Sequence, residues 1–498
     1  MTTPTVINFE QPTMWRQQGK QLLAGSSSSS SSTRRLASHP SSRRLATASP
    51  VAPVAPVAPA SSSHRVVVVG AGTAGLSISH QLLRTGKFGS RDLAVVDPST
   101  WHHYQPGWTL VGGGLKNKED LRRKTDDLMD PTRLRLYKSG VATVAPGESS
   151  VALRDGTTLN YEHLVVAPGL SLDYGAIDGL ADALRDPGSA VSTIYSYDTC
   201  DKAFRNVEKL RTGTAIFTQP AGVIKCAGAP QKVMWLALDY WRRAGLYSYP
   251  YYPLEDEDAA KPSATAAAAA APAAKMIHVS YATGLPAMFA VPKYAAKLEE
   301  LRRERGVEGL FQHDLVAVKG NKATFARPDG AAATSVTRHF DLLHVTPKMG
   351  PPGFIRESSI GNDAGYVDVD DHTLRHKRFP NIWSAGDASS LPTSKTAAAV
   401  TAEAPVLVRN LTRALDGLGP DASYDGYTSC PLLTEYGKVL LAEFKYGGEP
   451  KETFDNWLGI DQAVPRRAFY HLKKDFFPWV YYASLVKGTW GGPKGWIN

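Results

Sequence analysis

The chain has 498 residues, a formal net charge of +9 and three cysteines. Its length predicts two or three domains, and three cysteines are too few for a disulfide scaffold. Residues 1–64 hold six Lys/Arg and one acidic residue and so contribute +5, which leaves only +4 on the remaining chain and argues against a nucleic-acid-binding protein. The sequence contains no run of about 18 apolar residues, which a transmembrane helix would need. Attachment at a membrane surface is the form of membrane association that stays open.

Residues 1–64 have the composition of a targeting segment followed by a linker. Arginines are interspersed with serines, Glu10 is the only acidic residue, and Val-Ala-Pro repeats occupy 51–59. Arg-rich, Ser-rich and acid-poor sequence is typical of a mitochondrial or plastid transit peptide, and Pro-rich repeats are typical of a stiff spacer. We therefore predict a transit peptide and disordered linker over 1–64, with a plain disordered tail as the alternative.

The next stretch, 65–76, is typical of a dinucleotide-binding turn. Valines at 66–69 predict a buried strand, and a Gly-x-Gly-x-x-Gly turn and a helical pattern follow them. The glycines permit a tight turn and close approach to phosphates, whose charge the helix N-terminus attracts. A second strand over 92–97 ends in an acidic residue. A carboxylate that binds the ribose is expected about 20 positions after the glycine turn, which is where this residue lies. The predicted cofactor contacts are Gly70, Gly72, Thr73, Ala74, Gly75 and Asp97.

A second α/β unit begins with the strand 214–218, and the turn after this strand differs from the first. Residues 219–230 contain no Gly-x-Gly-x-x-Gly, which argues against NAD(P)H binding. The turn holds Cys226, just before a helix with Pro230 in its first turn, beside Lys225 and near Lys232. A helix N-terminus and nearby cations lower the pKa of a thiol, so we predict that Cys226 is reactive, the alternative being a buried structural thiol.

A second flavin fingerprint follows the strand 381–384. It consists of Gly386 and Asp387 and leads to a helix-prone segment, 393–400, that contains Lys395. The glycine permits close approach, the carboxylate can accept hydrogen bonds from ribityl hydroxyls, and the helix N-terminus favours negative charge on the reduced flavin. Together the two fingerprints predict FAD as the cofactor. We expect Lys395 near the flavin, where its charge would stabilise the reduced anion; a solvated lysine is the alternative.

These elements predict an α/β fold with two Rossmann-like domains of the FAD/NAD(P) type and a C-terminal aromatic region that associates with a membrane. The predicted boundaries are 65–175 for the first part of the FAD domain, 176–345 for the second Rossmann-like domain, 346–420 for the second part of the FAD domain and 421–498 for the C-terminal region. Aromatic residues of that last region alternate with Lys and Arg, which suits a membrane interface. Packing on the core or against a partner in a homodimer is the alternative.

Five segments are similar to the mitochondrial sulfide:quinone oxidoreductase family, and they follow one another in the family's order. The matching segments are 104–112, 225–232, 391–399, 424–431 and 490–493. The resemblance implies an FAD enzyme on the inner mitochondrial membrane that oxidises hydrogen sulfide, passes two electrons to ubiquinone and transfers sulfur to a small acceptor. It also implies that Gln105, in the first of these segments, belongs to the cofactor-binding residues.

One position departs from the pattern that this resemblance implies. Family members pair two redox cysteines beside the flavin, one in the Lys-Cys-Ala-Gly segment and one directly after Gly-Asp. The first is present as Cys226, but the second position is Ala388, which cannot hold sulfur. Cys226 would then act alone, or Cys430 would replace the partner if the fold brings it close. Because free cysteine is commonly buried, we interpret Cys430 as a small buried residue.

Three functions stay open on the sequence. The first is a sulfide:quinone oxidoreductase. The second is a type II NADH:quinone dehydrogenase, which shares the two-domain plan but is disfavoured by the missing second glycine turn. The third is a flavin-binding protein with impaired sulfide turnover because of Ala388. No spacing of His, Cys and Asp predicts a metal site.

Overall fold

The computed structural model of the protein describes residues 61–248, 276–327 and 334–490. These residues belong to the unit Ala58–Asn498. Residues 1–60 of the predicted transit peptide and linker, and most of the tyrosine- and alanine-rich segment 246–275, lie outside the described residues.

The helices and strands are numbered in chain order. The strands are β1 (Ser61–Val69), β2 (Leu93–Val96), β3 (Trp101–His103), β4 (Arg122–Lys124), β5 (Leu134–Tyr137), β6 (Val141–Ala145), β7 (Ser150–Leu153), β8 (Thr158–Val166), β9 (Ser171–Asp173), β10 (Val191–Ser192), β11 (Gly213–Gln219), β12 (Ile277–Thr283), β13 (Glu308–Phe311), β14 (Asp314–Lys319), β15 (Lys322–Ala326), β16 (Ser335–His339), β17 (Leu342–His344), β18 (Lys348–Gly350), β19 (Ile382–Ser384), β20 (Thr428–Glu435) and β21 (Lys438–Phe444). The α-helices are α1 (Thr73–Arg84), α2 (Trp108–Val111), α3 (Leu180–Arg185), α4 (Cys200–Lys209), α5 (Ala229–Arg243), α6 (Pro292–Glu304), α7 (Gly353–Arg356), α8 (Ala397–Leu415), α9 (Thr453–Leu458), α10 (Arg467–His471) and α11 (Phe477–Val480).

The first sheet is built around β1. Its order is β5-β2-β1-β8-β7-β6, and β19 pairs with β8. The valines of β1 at 66–69 are buried, as expected for a strand that runs parallel to both of its neighbours and is covered on both faces. β1 begins at Ser61, so residues 61–64, which we assigned to the linker, are part of the strand instead, because Ser61 and the residues after it pair with β8.

The pairing of β19 with β8 brings the two sequence fingerprints to the same edge of this sheet. Both β1 and β19 run parallel to β8, so their carboxyl ends, Val69 and Ser384, lie on the same side. The glycine turn follows Val69 directly, and Gly386 comes soon after Ser384. An α/β sheet with a dinucleotide-type turn at its carboxyl edge confirms the predicted fold class.

The second sheet has the order β10-β17-β11-β12-β13, and its strands are parallel throughout. The turn after β11 leads into α5, and the antiparallel hairpin of β20 and β21 packs against the start of that helix. Smaller antiparallel ladders join β14, β15 and β16, and join β9 to β18. Through the hairpin, the C-terminal region reaches the turn that holds Cys226.

The C-terminal helical segment, defined here as residues 467–489, consists of α10 and α11 separated and followed by two π-helical turns, Leu472–Phe476 and Tyr481–Leu485. Trp479 is 64% exposed and Phe476 36%. Tyr470 and Tyr481 are buried, so the prediction that the aromatics of this region lie at an interface is wrong for these two, which pack on the core. Within the described parts of the chain, no helix is both long and apolar enough to cross a membrane.

Candidate active site

The turn between β1 and α1 needs its glycines for steric reasons that differ from one to the next. Gly70 has φ +101°, and a Cβ on it would lie 2.4 Å from the carbonyl oxygen of Ala167. A Cβ on Gly75 would lie 1.8 Å from the carbonyl oxygen of Gly70. A Cβ on Gly72 would meet no atom within 4 Å. Gly70 and Gly75 therefore shape the turn, whereas Gly72 leaves open space in front of it.

The groups around this open space fit an anionic dinucleotide. Helix α1 begins at Thr73 with Gly72 as its N-cap, and no side chain caps its first N–H groups, so they are left to bind an anion. Asp97, predicted to hold the ribose, accepts a hydrogen bond on Oδ2 from the backbone N–H of Ala71, 2.6 Å away. A carboxylate accepts several hydrogen bonds, so Asp97 keeps capacity for ribose hydroxyls. Ala74 is buried at the start of the helix.

The second fingerprint touches the first. A Cβ on Gly386 would lie 3.1 Å from Cβ of Ala74. Gly386 has φ +74°, and its N–H donates to Oε2 of Glu403 on α8, 2.6 Å away. Burial raises the pKa of Glu403 to about 7, and burial also raises the pKa of the neighbouring Asp387 carboxyl, against the opposing charges of Lys225 and Lys395. The sequence did not predict Glu403 as a site residue, because nothing distinguishes it from other acidic residues in helical segments.

Lys395 joins the second fingerprint to the cysteine turn. Its Nζ donates to the carbonyl oxygens of Ser389 and Leu391, at 2.7 and 2.9 Å, so this lysine is buried rather than solvated. Its own carbonyl oxygen accepts the N–H of Cys226 at 2.7 Å. The neighbouring Lys225 donates from Nζ to Oε1 of Gln105, 3.0 Å away. The predicted residues from three distant segments therefore meet in one place.

Cys226 and Cys430 form a sulfur pair. Their Sγ atoms are 3.6 Å apart, and Nζ of Lys232 lies 3.2 Å from Sγ of Cys226. Gly228 makes this approach possible, because a Cβ there would lie 2.6 Å from Sγ of Cys430. Cys430 is buried, as interpreted, but it is more than a small buried residue, because on β20 its sulfur contacts that of Cys226.

Ala388 has no part in this pair. Its side chain is fully buried, and its carbonyl oxygen accepts the N–H of Val367. The departure noted in the sequence therefore does not remove the second sulfur, because β20 supplies it from elsewhere in the chain. A signal for this was present, since Cys430 lies in segment 424–431, which resembles the family.

The electrostatics of the pair favour a thiolate on Cys226. Its pKa lies well below the ordinary value because Cys430 donates a hydrogen bond to it and because Lys232 and Lys473 are close. The same hydrogen bond and burial raise the pKa of Cys430. Lys473, on the first π-helical turn, donates to the carbonyl oxygen of Pro106 at 2.9 Å, and burial lowers its pKa to about 7. Lys473 is one of the Lys and Arg residues of 421–498 that we expected at a membrane interface, but it is buried instead.

No group of three or more His, Cys, Asp or Glu within the described ranges is arranged to hold a metal ion. The geometry offers an uncapped helix N-terminus that suits a dinucleotide, and a second fingerprint in contact with it. It also offers a pair of cysteine sulfurs on a turn that is hydrogen-bonded to Lys395, which follows the second fingerprint. These features define the class: a dinucleotide-binding flavoprotein oxidoreductase with a cysteine pair.

Comparisons with known proteins give the family. A family model described as pyridine nucleotide-disulphide oxidoreductase matches residues 64–210. The mitochondrial sulfide:quinone oxidoreductase of Schizosaccharomyces pombe is 42% identical over 88% of this chain and 93% of its own length. That of Mus musculus is 36% identical over 87% of this chain and 89% of its own length. The chain belongs to the mitochondrial sulfide:quinone oxidoreductase family.

A solved structure agrees at the level of the fold. The sulfide:quinone oxidoreductase from the hyperthermophilic bacterium Aquifex aeolicus superposes with a TM-score of 0.64 at 14% identity, over 86% of this chain and 93% of that chain. Membership of the family makes this chain a flavoprotein oxidoreductase and disfavours both alternatives that the sequence left open, the NADH dehydrogenase and the inactive flavin-binding protein.

Proposed function

We propose that this protein uses FAD to oxidise hydrogen sulfide to sulfane sulfur and delivers the electrons to ubiquinone. The observation that carries the proposal is the contact of Cys226 with Cys430, whose Sγ atoms are 3.6 Å apart. Cys226 lies on a turn whose backbone is hydrogen-bonded to Lys395, in the loop that follows the Gly386-Asp387 fingerprint. A sulfur pair next to the flavin fingerprint is what a sulfide-oxidising flavoenzyme needs.

The residues that would hold FAD fit its parts. Backbone N–H groups at the start of α1 would bind the pyrophosphate, Asp97 the ribose, and Asp387 the ribityl hydroxyls. The cofactor would supply a two-electron acceptor between the thiols and the quinone. The positive charge of Lys395, buried in the loop after Asp387, would favour electron density on that acceptor.

The cysteines carry the sulfur chemistry. With the pair oxidised to a disulfide, HS⁻ attacks Sγ of Cys430; the S–S bond breaks, Cys430 becomes a persulfide and Cys226 leaves as a thiolate. Cys226 is the better leaving group because Nζ of Lys232, 3.2 Å from its sulfur, stabilises the departing thiolate. A nucleophilic acceptor of small size then takes the outer sulfur and releases the Cys430 thiolate. Re-forming the disulfide from two thiolates releases two electrons, which reduce ubiquinone to ubiquinol with two protons.

The exposed aromatics of the C-terminal helical segment support contact with a lipid surface. Trp479 and Phe476 line a shallow groove of about 420 Å³ together with Leu472, an apolar face that suits the inner mitochondrial membrane, where a quinone dissolves. The composition of 1–64 and the mitochondrial relatives support a location in the mitochondrion. Co-sedimentation with vesicles that contain anionic lipid tests this surface; a chain that stays in the supernatant would contradict it.

Anaerobic mixing tests the reaction. Purified holoprotein is mixed with sulfide and, separately, with NADH, while the flavin absorbance is followed. We expect sulfide to bleach the flavin, and Cys226→Ser and Cys430→Ser each to slow this by more than about a thousandfold, because a hydroxyl cannot form the disulfide.

The matched control is Cys200→Ser, because this third thiol is buried in α4, where burial raises its pKa to about 12. It should leave the rate unchanged. Bleaching by NADH alone would refute the proposal in favour of a dehydrogenase, and full sulfide-dependent bleaching in Cys430→Ser would refute the role of the pair.

A further inference from the structure

Tyr481, in the π-helical turn Tyr481–Leu485, reaches the first glycine turn from the far end of the chain. Its hydroxyl oxygen lies 2.8 Å from Oγ1 of Thr73 and 2.7 Å from Nε2 of His102. Nδ1 of His102 lies 2.8 Å from the carbonyl oxygen of Ala71. Tyr481 and His102 are 2% and 4% exposed. Two residues of the turn, Ala71 and Thr73, are thereby linked by hydrogen bonds to Tyr481 of the C-terminal helical segment, Ala71 through His102 and Thr73 directly.

The directions of these hydrogen bonds follow from the chemistry of the groups. Burial lowers the pKa of His102 to about 4, so its ring is neutral and carries one N–H. The carbonyl of Ala71 can only accept, so Nδ1 holds the proton and Nε2 accepts. The Tyr481 hydroxyl therefore donates to Nε2, and its oxygen accepts the O–H of Thr73. Because the Thr73 hydroxyl proton is committed to Tyr481, the backbone N–H groups are the donors left for an anion.

The rest of the segment is anchored along α1. The carbonyl oxygen of Val486 accepts from His80 Nδ1 at 2.6 Å, and that of Lys487 accepts from Arg84 Nε at 3.1 Å. A Cβ on Gly488 would lie 2.6 Å from the backbone nitrogen of Gln81, so chain and helix are in close contact. The segment therefore lies against the helix whose N-terminus faces the open space beside Gly72.

We propose that Tyr481 is a positioning residue of the cofactor site: through His102 and Thr73 it holds the glycine turn in the conformation that binds the FAD pyrophosphate. The inference rests on the proposed function, which supplies FAD as the ligand. A turn held in its binding conformation loses less entropy when the ligand arrives, so its affinity is higher. The C-terminal helical segment thus contributes to two sites: Tyr481 positions the cofactor-binding turn, and Lys473 lies close to the Cys226 thiolate.

Titration of the deflavinated full-length chain with FAD, followed by quenching of flavin fluorescence, tests the role of Tyr481. Tyr481→Phe keeps the ring against Tyr104, whose centroid is 4.7 Å away, and removes only the hydroxyl. His102 Nε2 and Thr73 Oγ1 then lose their partner, and we expect the Kd for FAD to rise about tenfold. Thr73→Val should reproduce the effect, and Thr73→Ser, which keeps the hydroxyl, should restore the wild-type Kd.

The matched control is Tyr482→Phe, the next residue on the same segment. Its hydroxyl donates to the carbonyl oxygen of Leu121 at 2.9 Å and to that of His102 at 3.4 Å, and neither the ring nitrogens of His102 nor Thr73 takes part. We expect its Kd for FAD to match the wild type even if the Tm of the apoprotein falls. An unchanged Kd in Tyr481→Phe, or an equal rise in Tyr482→Phe, would overturn the inference while FAD binding by the wild type stands. A wild-type chain that binds no FAD would overturn the proposed function itself.

Discussion

Two junctions between a strand and a helix, one in each of the two large sheets, join a parallel-paired strand to the helix that follows it and suit different anions. In the first, β1 leads into α1 with Gly72 as the N-cap; in the second, β11 leads through a longer turn into α5 with Gly228 as the N-cap. Neither helix has a side-chain cap. Both N-termini therefore favour negative charge, but they receive it in different ways.

The difference lies in what fills the space before each helix. At the first junction the space beside Gly72 is empty, so a cofactor phosphate can approach the backbone. At the second junction the protein supplies its own anion, because Cys226 enters with φ +51°, and Lys232 and Cys430 are in contact with its sulfur. Under the proposed function, the junction would hold a ligand in one sheet and a nucleophile in the other.

Exchanging the two N-cap glycines for alanine should separate the junctions. In Gly228→Ala the added Cβ would lie 2.6 Å from Sγ of Cys430 and 2.5 Å from Leu432, so the sulfur pair must open. We expect sulfide-dependent flavin reduction to fall about ten- to a hundredfold, while the Kd for FAD stays at the wild-type value. In Gly72→Ala nothing in the protein is displaced, but the methyl group occupies the phosphate side, and the Kd for FAD should rise about tenfold.

The two variants are controls for each other, with stopped-flow reduction and FAD titration measured on both. The apoprotein Tm of Gly72→Ala should equal that of the wild type, because its Cβ meets no protein atom within 4 Å. If both variants lost sulfide-dependent flavin reduction and FAD affinity to the same extent, the comparison would be contradicted, because the two junctions would not act separately.

A smaller effect is expected from Lys473, which supports the thiolate of the second junction from the C-terminal helical segment. Its pKa is about 7, so below that pH it is charged and stabilises the Cys226 thiolate, and above it the support fades. In Lys473→Met we expect the pH midpoint for alkylation of Cys226 by iodoacetamide to rise by about one unit. Well above pH 7, where Lys473 is neutral, the wild type and Lys473→Met should react with iodoacetamide equally fast.

The neighbouring Lys474 gives the matched control, because its Nζ is paired with Asp475 at 2.7 Å. Lys474→Met should leave the midpoint in place, with modification of Cys226 measured by mass spectrometry of the reduced protein. A midpoint that does not move in Lys473→Met would mean that Lys473 is merely buried near the sulfurs.

The sequence predicted those features that depend on neighbouring residues. The glycine turn could be recognised because the steric limits at Gly70 and Gly75 act within a few residues, and the Gly386-Asp387 turn for the same reason. The reactivity of Cys226 was predicted from the helix that follows it and from Lys232 in the first turn of that helix. Each of these arguments needs only local geometry, which the order of residues supplies.

The tertiary structure alone decided which distant side chains complete the site. Cys430 is 204 positions from Cys226, and Tyr481 is 408 positions from Thr73. On the sequence Cys430 was interpreted as a small buried residue, with the replacement redox partner as the alternative, and Tyr481 was one of the aromatic residues expected at a membrane interface. Their roles depend on how β20 and the C-terminal helical segment pack against the two helix N-termini. Such packing is fixed by the summed burial of many side chains, and no spacing of residues records it.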